Sequence, residues 1–168
     1  MKPARKTDPK PRSVAVANTR ASDLDKGIAP LDAKMDDLEV VWTHVPLLAG
    51  ISKDLKKVYI DTSLDKVITV QGKQIDVVKQ LTVHELTEYA AMQGGLSYAD
   101  AHGVALTAEH ALLKTQYAID ENGIAEYEAY FLSKEHSKDC ENCFAPADIY
   151  PGPYEASGMM GKIAKPTS

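Results

Sequence analysis

Residues 81–92 read Leu-Thr-Val-His-Glu-Leu-Thr-Glu-Tyr-Ala-Ala-Met, and His84, Glu85 and Glu88 are the side chains there that could hold a metal or move a proton. On a helix of 3.6 residues per turn, positions 77, 81, 84, 88 and 91 share one stripe, which here reads Val, Leu, His, Glu, Ala. The other side offers Val83, Leu86 and Ala90, so neither face is plainly polar. A helix that is apolar nearly all round belongs in an interior. A histidine and two carboxylates inside it must be compensated, because an unpaired buried carboxylate either destabilises the fold or changes its protonation. A cation is one direct way to satisfy all three. The following segment repeats the pattern: Tyr98, Ala101, His102, Ala105, Glu109 and Leu112 form a core-like stripe with His102 and Glu109 two turns apart.

Histidine and carboxylate ligands four residues apart on one helix, completed from a neighbouring helix, are the usual supply for zinc. His84, Glu88 and His102 are therefore the expected ligands of zinc or another divalent metal, with Glu109 as a fourth ligand or as the carboxylate that orients a ligand. Glu85 follows the first ligand directly. In the His-Glu-x-x-His pattern that position carries the general base that takes a proton from the attacking water. Here Glu88 stands where the second histidine would be, which keeps a ligand and makes the metal somewhat less electrophilic. A di-iron carboxylate bundle fits less well, since it wants Glu-x-x-His pairs and four long helices. Tyr98 or Tyr89 could stabilise an oxyanion near such a metal, although core packing is the first expectation for both. Further on, His136, Cys140 and Cys143 could offer three ligands to a second, structural zinc, or the cysteines a redox pair. Two reduced thiols are the expected state, because a single Cys-x-x-Cys lacks its partner pair.

The elements that must position these groups follow from pattern. Residues 38–45 are rich in β-branched and aromatic types and stop at Pro46, as a strand does. Val58-Tyr59-Ile60 reads as a second short strand. Residues 67–70 and 75–77 read as a hairpin turning at Gly72, which gives a small sheet in the first half. From Val77 the period changes to three and four, predicting a helix to about Met92 that ends at Gly94-Gly95. Ser97 is a good N-cap for a second helix running to about Gln116, with Asp100 in its first turn. The short connection makes the two helices antiparallel neighbours, and Ala101, Ala105 and Ala108 would let them approach closely. A third helix is expected over about residues 123–134. Residues 21–37 hold only a weak helical pattern broken by Gly27 and Pro30.

Composition bounds the class. The chain has 168 residues, 44% hydrophobic and 26% charged, the proportions of a soluble domain, and single domains commonly run to roughly 100–150 residues. No apolar stretch approaches the roughly 20 residues of a membrane span, so no membrane partner is expected, and the basic start lacks the apolar core of a secretory signal. Charge is uneven: within a net −5 chain, residues 1–20 carry six cations against Asp8 alone. Pro3, Pro9 and Pro11 make that stretch an extended tail, and it is the one part expected to touch nucleic acid, if any does. The last residues, rich in proline and glycine, read as an irregular tail.

Taken together, Tyr59-Ile60-Asp61, the Val-x-Gly-Lys turn at residues 70–73, His84-Glu85-x-x-Glu88, Gly95-Leu96-Ser97-Tyr98-x-x-Ala101-His102 and Ala108-Glu109 resemble a group of small proteins from phages and bacterial genomes described as zincin-like metallopeptidases. The likeness spans residues 58–131 and leaves both ends uncovered. It implies a short hairpin laid against the helix that carries the metal motif. The expectation is thus an α+β fold, a small sheet packed on about three helices over residues 38–135, flanked by tails at 1–37 and 136–168. The expected function is zinc-dependent hydrolysis of peptide or amide bonds, with a peptide as substrate. The alternative is a non-catalytic interaction protein, such as a phage-particle component, whose tails bind a protein partner or a second copy. The cytoplasm, or a phage particle, is the expected location.

Overall fold

The computed structural model describes residues 34–45, 47–134 and 146–150. Among the described residues the architecture is α+β, with five strands followed by three helices from residue 39 onward: β1 Glu39–Thr43, β2 Ala49–Ile51, β3 Lys57–Asp61, β4 Val67–Val70, β5 Lys73–Asp76, α1 Val77–Gln93, α2 Tyr98–Tyr117 and α3 Glu121–Lys134. Where the pattern predicts one small sheet, there are two, a three-stranded sheet in the order β1-β3-β2 and the β4-β5 hairpin. β3 lies at the centre of the first, parallel to β1 with Val41 opposite Tyr59, and antiparallel to β2 with Gly50 opposite Tyr59. β2 carries no strand signal of its own, being three residues, one of them glycine, without alternation. Its pairing is decided by β3.

Residues 146–150, within the segment read as an irregular tail, lie against β2. Ile149 bridges Ser52, Tyr150 N–H donates to the Ile51 carbonyl, and Lys57 and the Tyr59 hydroxyl both bind the Asp148 carboxylate. Ile149 is buried with Val45 and Tyr59. Gly50 makes this approach feasible, since a Cβ there would stand 2.2 Å from Ile149 Cδ1.

The hairpin has its own physical logic. Val67, Ile68, Thr69 and Val70 alternate between exposed and buried, as a half-buried strand must. Gln71 and Gly72 form the two-residue turn, both with positive φ (50° and 72°), the turn whose twist matches that of the flanking strands. β5 then runs directly into α1, where the Asp76 side chain accepts from Lys79 N–H at 3.0 Å. This cap fixes where the helix starts, and the burial of Val77 and Leu81 in the core turns the same stripe, with His84, inward.

α1 ends as Gly94-Gly95 predicts. Leu96 N–H bonds to the Ala91 carbonyl and Gly95 N–H to that of Met92, with Gly95 at φ 96°, the paired closure in which a left-handed glycine satisfies the last carbonyls. Ser97 caps α2 by accepting from Asp100 N–H. Residue 84 meets 109 while 88 meets 102, so α1 and α2 are antiparallel. Ala101, Ala105 and Ala108 are buried between them. α3 begins at Glu121, two residues earlier than the pattern predicts, because the Asp120 carboxylate accepts from Gly123 N–H. It closes the core with Ile124 and Tyr127, packed with Val58, Ile60, Ile75, Leu81 and Leu113.

Among the described residues no helix is long and apolar enough to cross a membrane. His136, Cys140 and Cys143, the basic residues 1–20 and most of both tails lie outside the described residues.

Candidate metal centre

The interior of α1 is as polar as its sequence demands. Val77, Leu81, Val83 and Leu86 are buried, and so are His84 and Glu88, with Glu109 buried on α2. His84 and Glu88 are one turn apart on α1, and His102 lies two turns before Glu109 on α2. Three groups converge: His84 Nε2 is 3.7 Å from Glu88 Oε2 and 3.2 Å from His102 Nδ1, and His102 Nδ1 is 2.9 Å from Glu88 Oε2. Ligand atoms bound tetrahedrally to zinc at ~2.0–2.2 Å would stand about 3.4 Å from one another. The triangle is therefore of the size that a metal ion requires, and His84, Glu88 and His102 can hold one.

Glu109 meets the histidine from behind. Its Oε2 lies 2.9 Å from His84 Nδ1, the ring nitrogen remote from Glu88 and His102. The Tyr127 hydroxyl donates to the other oxygen, Oε1. Of the two places open to Glu109, ligand or orienting carboxylate, its contacts are those of the second. Tyr127 reads in sequence as one packing tyrosine among several. No spacing signals its role, because it comes from α3, 18 residues beyond the carboxylate it serves.

The electrostatics follow from burial and these contacts. Burial acts to lower the pKa of His84, but the carboxylates of Glu109 and Glu88 on its ring outweigh it and hold it up at about 10. Burial pushes the Glu85 carboxyl up to about 7, the positive charge of His84 opposing and Glu88 and Glu109 adding to the rise. For Glu88 burial raises the value, and hydrogen bonds from His102 and His84 bring it below the usual carboxylate range. Burial, and then the charge of Glu109, raise the Tyr127 phenol well above its ordinary value.

Glu85 lies half-buried beside the triangle and lines a cavity that His84, Glu88, His102 and Glu109 also line. Its carboxyl makes no hydrogen bond among the described residues. Tyr98 lines the same cavity, its ring 5.8 Å from that of His102. Tyr89 instead packs on Tyr150 at 4.7 Å, as a packing residue would. The pattern did not single out His110 and Glu128, which face each other at 3.0 Å and also line the cavity.

No protein-family model, curated protein or solved structure matches the chain.

Proposed function

We propose that this chain is a zinc-dependent hydrolase of peptide or amide bonds. The observation that supports the reading is the convergence of His84 Nε2, Glu88 Oε2 and His102 Nδ1, with Glu85 beside them on a cavity wall. Two imidazoles and one carboxylate leave a coordination position for water or substrate, as catalytic zinc sites do and closed structural sites do not. A zinc ion bound there would polarise a carbonyl and lower the pKa of water to about 7.

The chain's own residues supply the rest. Glu109, held by Tyr127, keeps the His84 ring turned so that Nδ1 is committed to a carboxylate and Nε2, facing Glu88 and His102, would be left to hold a metal. His102, with its side chain 41% exposed, stands at the open side of the centre, where substrate would enter. Glu85 takes the proton of the attacking water and later passes it to the leaving nitrogen. Its carboxyl, whose pKa burial raises to about 7 in the metal-free chain, lies on the cavity wall beside the triangle, where a general base is needed.

Metal analysis of the purified protein tests the centre: stoichiometric zinc is expected in the wild type and a loss of it in His84→Ala. Wild-type protein without metal, or undiminished metal in the variant, sinks the reading. Glu85→Gln should keep the metal and lose hydrolysis of a peptide library; retained turnover rejects the assigned base.

A further inference from the structure

His84, Glu88 and His102 open on a cavity of about 380 Å³, within the roughly 300–1,000 Å³ typical of ligand pockets. Most of its other lining is apolar: Leu81 from α1, Leu106 from α2, Phe131 and Leu132 from α3, and Leu47 just before β2. Leu47 is 40% exposed and Leu132 65%. Two large apolar side chains left wet on the wall of one cavity would gain from an apolar occupant. The ionisable groups of the lining are the carboxyls of Glu85, Glu88, Glu109 and Glu128 and the imidazoles of His84, His102 and His110, with no lysine or arginine among the described residues that form it. A carboxylate on a substrate would face those acids with no lysine or arginine of the lining to pair with.

We propose, building on the hydrolase reading, that the site accepts amide substrates whose group beside the scissile bond is an uncharged apolar side chain of leucine or phenylalanine size, and discriminates against a free carboxylate there. Leu47, Leu106, Phe131 and Leu132 set that preference. The side chain lies against them while the carbonyl lies at the metal triangle, so the apolar contact and the reacting bond are engaged together.

Isothermal titration calorimetry on the full-length, zinc-loaded chain tests this, with the zinc content measured first. The probes are acetohydroxamate, 4-methylpentanohydroxamate and succinic acid monohydroxamate, which share a metal-binding head and differ in the group beside it. Each buried methylene tightens binding about fourfold, so the branched apolar probe is expected to bind at least about thirtyfold more tightly than acetohydroxamate. The succinic probe is expected to bind no more tightly than acetohydroxamate. Leu132→Lys, at a position already exposed, should weaken the apolar probe severalfold and tighten the succinic one, with zinc content unchanged. Three probes of equal affinity, a succinic probe that binds best, or no probe binding to protein that holds stoichiometric zinc would overturn the substrate class and leave the metal reading standing. Unchanged affinities in Leu132→Lys would remove Leu132 from the recognition surface and overturn the assignment of that wall. Protein that takes up no zinc would overturn both readings, and the metal measurement identifies that outcome separately.

Discussion

His84 presents opposite edges of one ring to two different tasks: Nδ1 stands 2.9 Å from Glu109 Oε2, while Nε2 faces Glu88 and His102. A buried imidazole free to rotate could offer either nitrogen, and two would have to be held by something else. Here Glu109 occupies Nδ1 and leaves Nε2 toward Glu88 and His102, and the Tyr127 hydroxyl binds the other oxygen of Glu109.

Removing that support should therefore weaken metal binding without unfolding the protein. Tyr127→Phe keeps the ring and its packing and deletes only the hydroxyl, and Glu109→Gln keeps the shape and removes the charge. Each is expected to lower zinc affinity about 10–100-fold, the usual effect of losing such a partner, measured by competition with a chromophoric chelator. Equal affinity in wild type and both variants would mean that the ring is held by packing alone.

A second expectation concerns pH, and the signs add. The His84 pKa is raised in the fold from 6.5 to about 10, so its contribution to stability is full below about 6.5 and disappears as pH rises through about 10. That of Glu85 is raised from 4.5 to about 7, so its contribution is full below about 4.5 and is lost as pH rises through about 7. The metal-free protein should lose thermal stability steadily from pH 6 to 10. Glu88, whose value is lowered, works oppositely and loses its contribution as the solution is acidified. Zinc competes with the proton on His84, so zinc affinity should climb with pH over the same range. Melting curves at several pH values, with and without zinc, check both; a metal-free melting temperature that is flat or rising above pH 6 would contradict the arrangement of charges.

Gln80 offers a third test. It is wholly buried on α1, one turn before His84, and neither amide atom has a hydrogen-bond partner among the described residues. A buried polar group left unsatisfied costs about 1–3 kcal/mol. Gln80→Met, close to it in volume, is expected to raise stability by about that amount in urea unfolding. A variant less stable than the wild type would mean that the amide has a partner, such as a buried water.

The α+β class, the hairpin, the antiparallel pair α1 and α2, the burial of His84, Glu88 and Glu109 and the approach of a partly exposed His102 to them were all legible from residue order. They depend on properties of near neighbours: a period of three and four around His84, Gly72 at a turn that needs positive φ, Gly95 at a helix end, Ser97 at a helix start. Other features required the folded chain. The pairing of β2, the docking of residues 146–150 on it, the split into two sheets, and the cavity walled by Leu47 and Leu132 arise from contacts between segments far apart in sequence, for which no local pattern exists. The division of labour around His84 belongs with these. Spacing brings Glu109 to the right helix face, but which ring nitrogen it meets depends on side-chain rotamers and on a tyrosine from α3, and those are set only when the three helices close on one another.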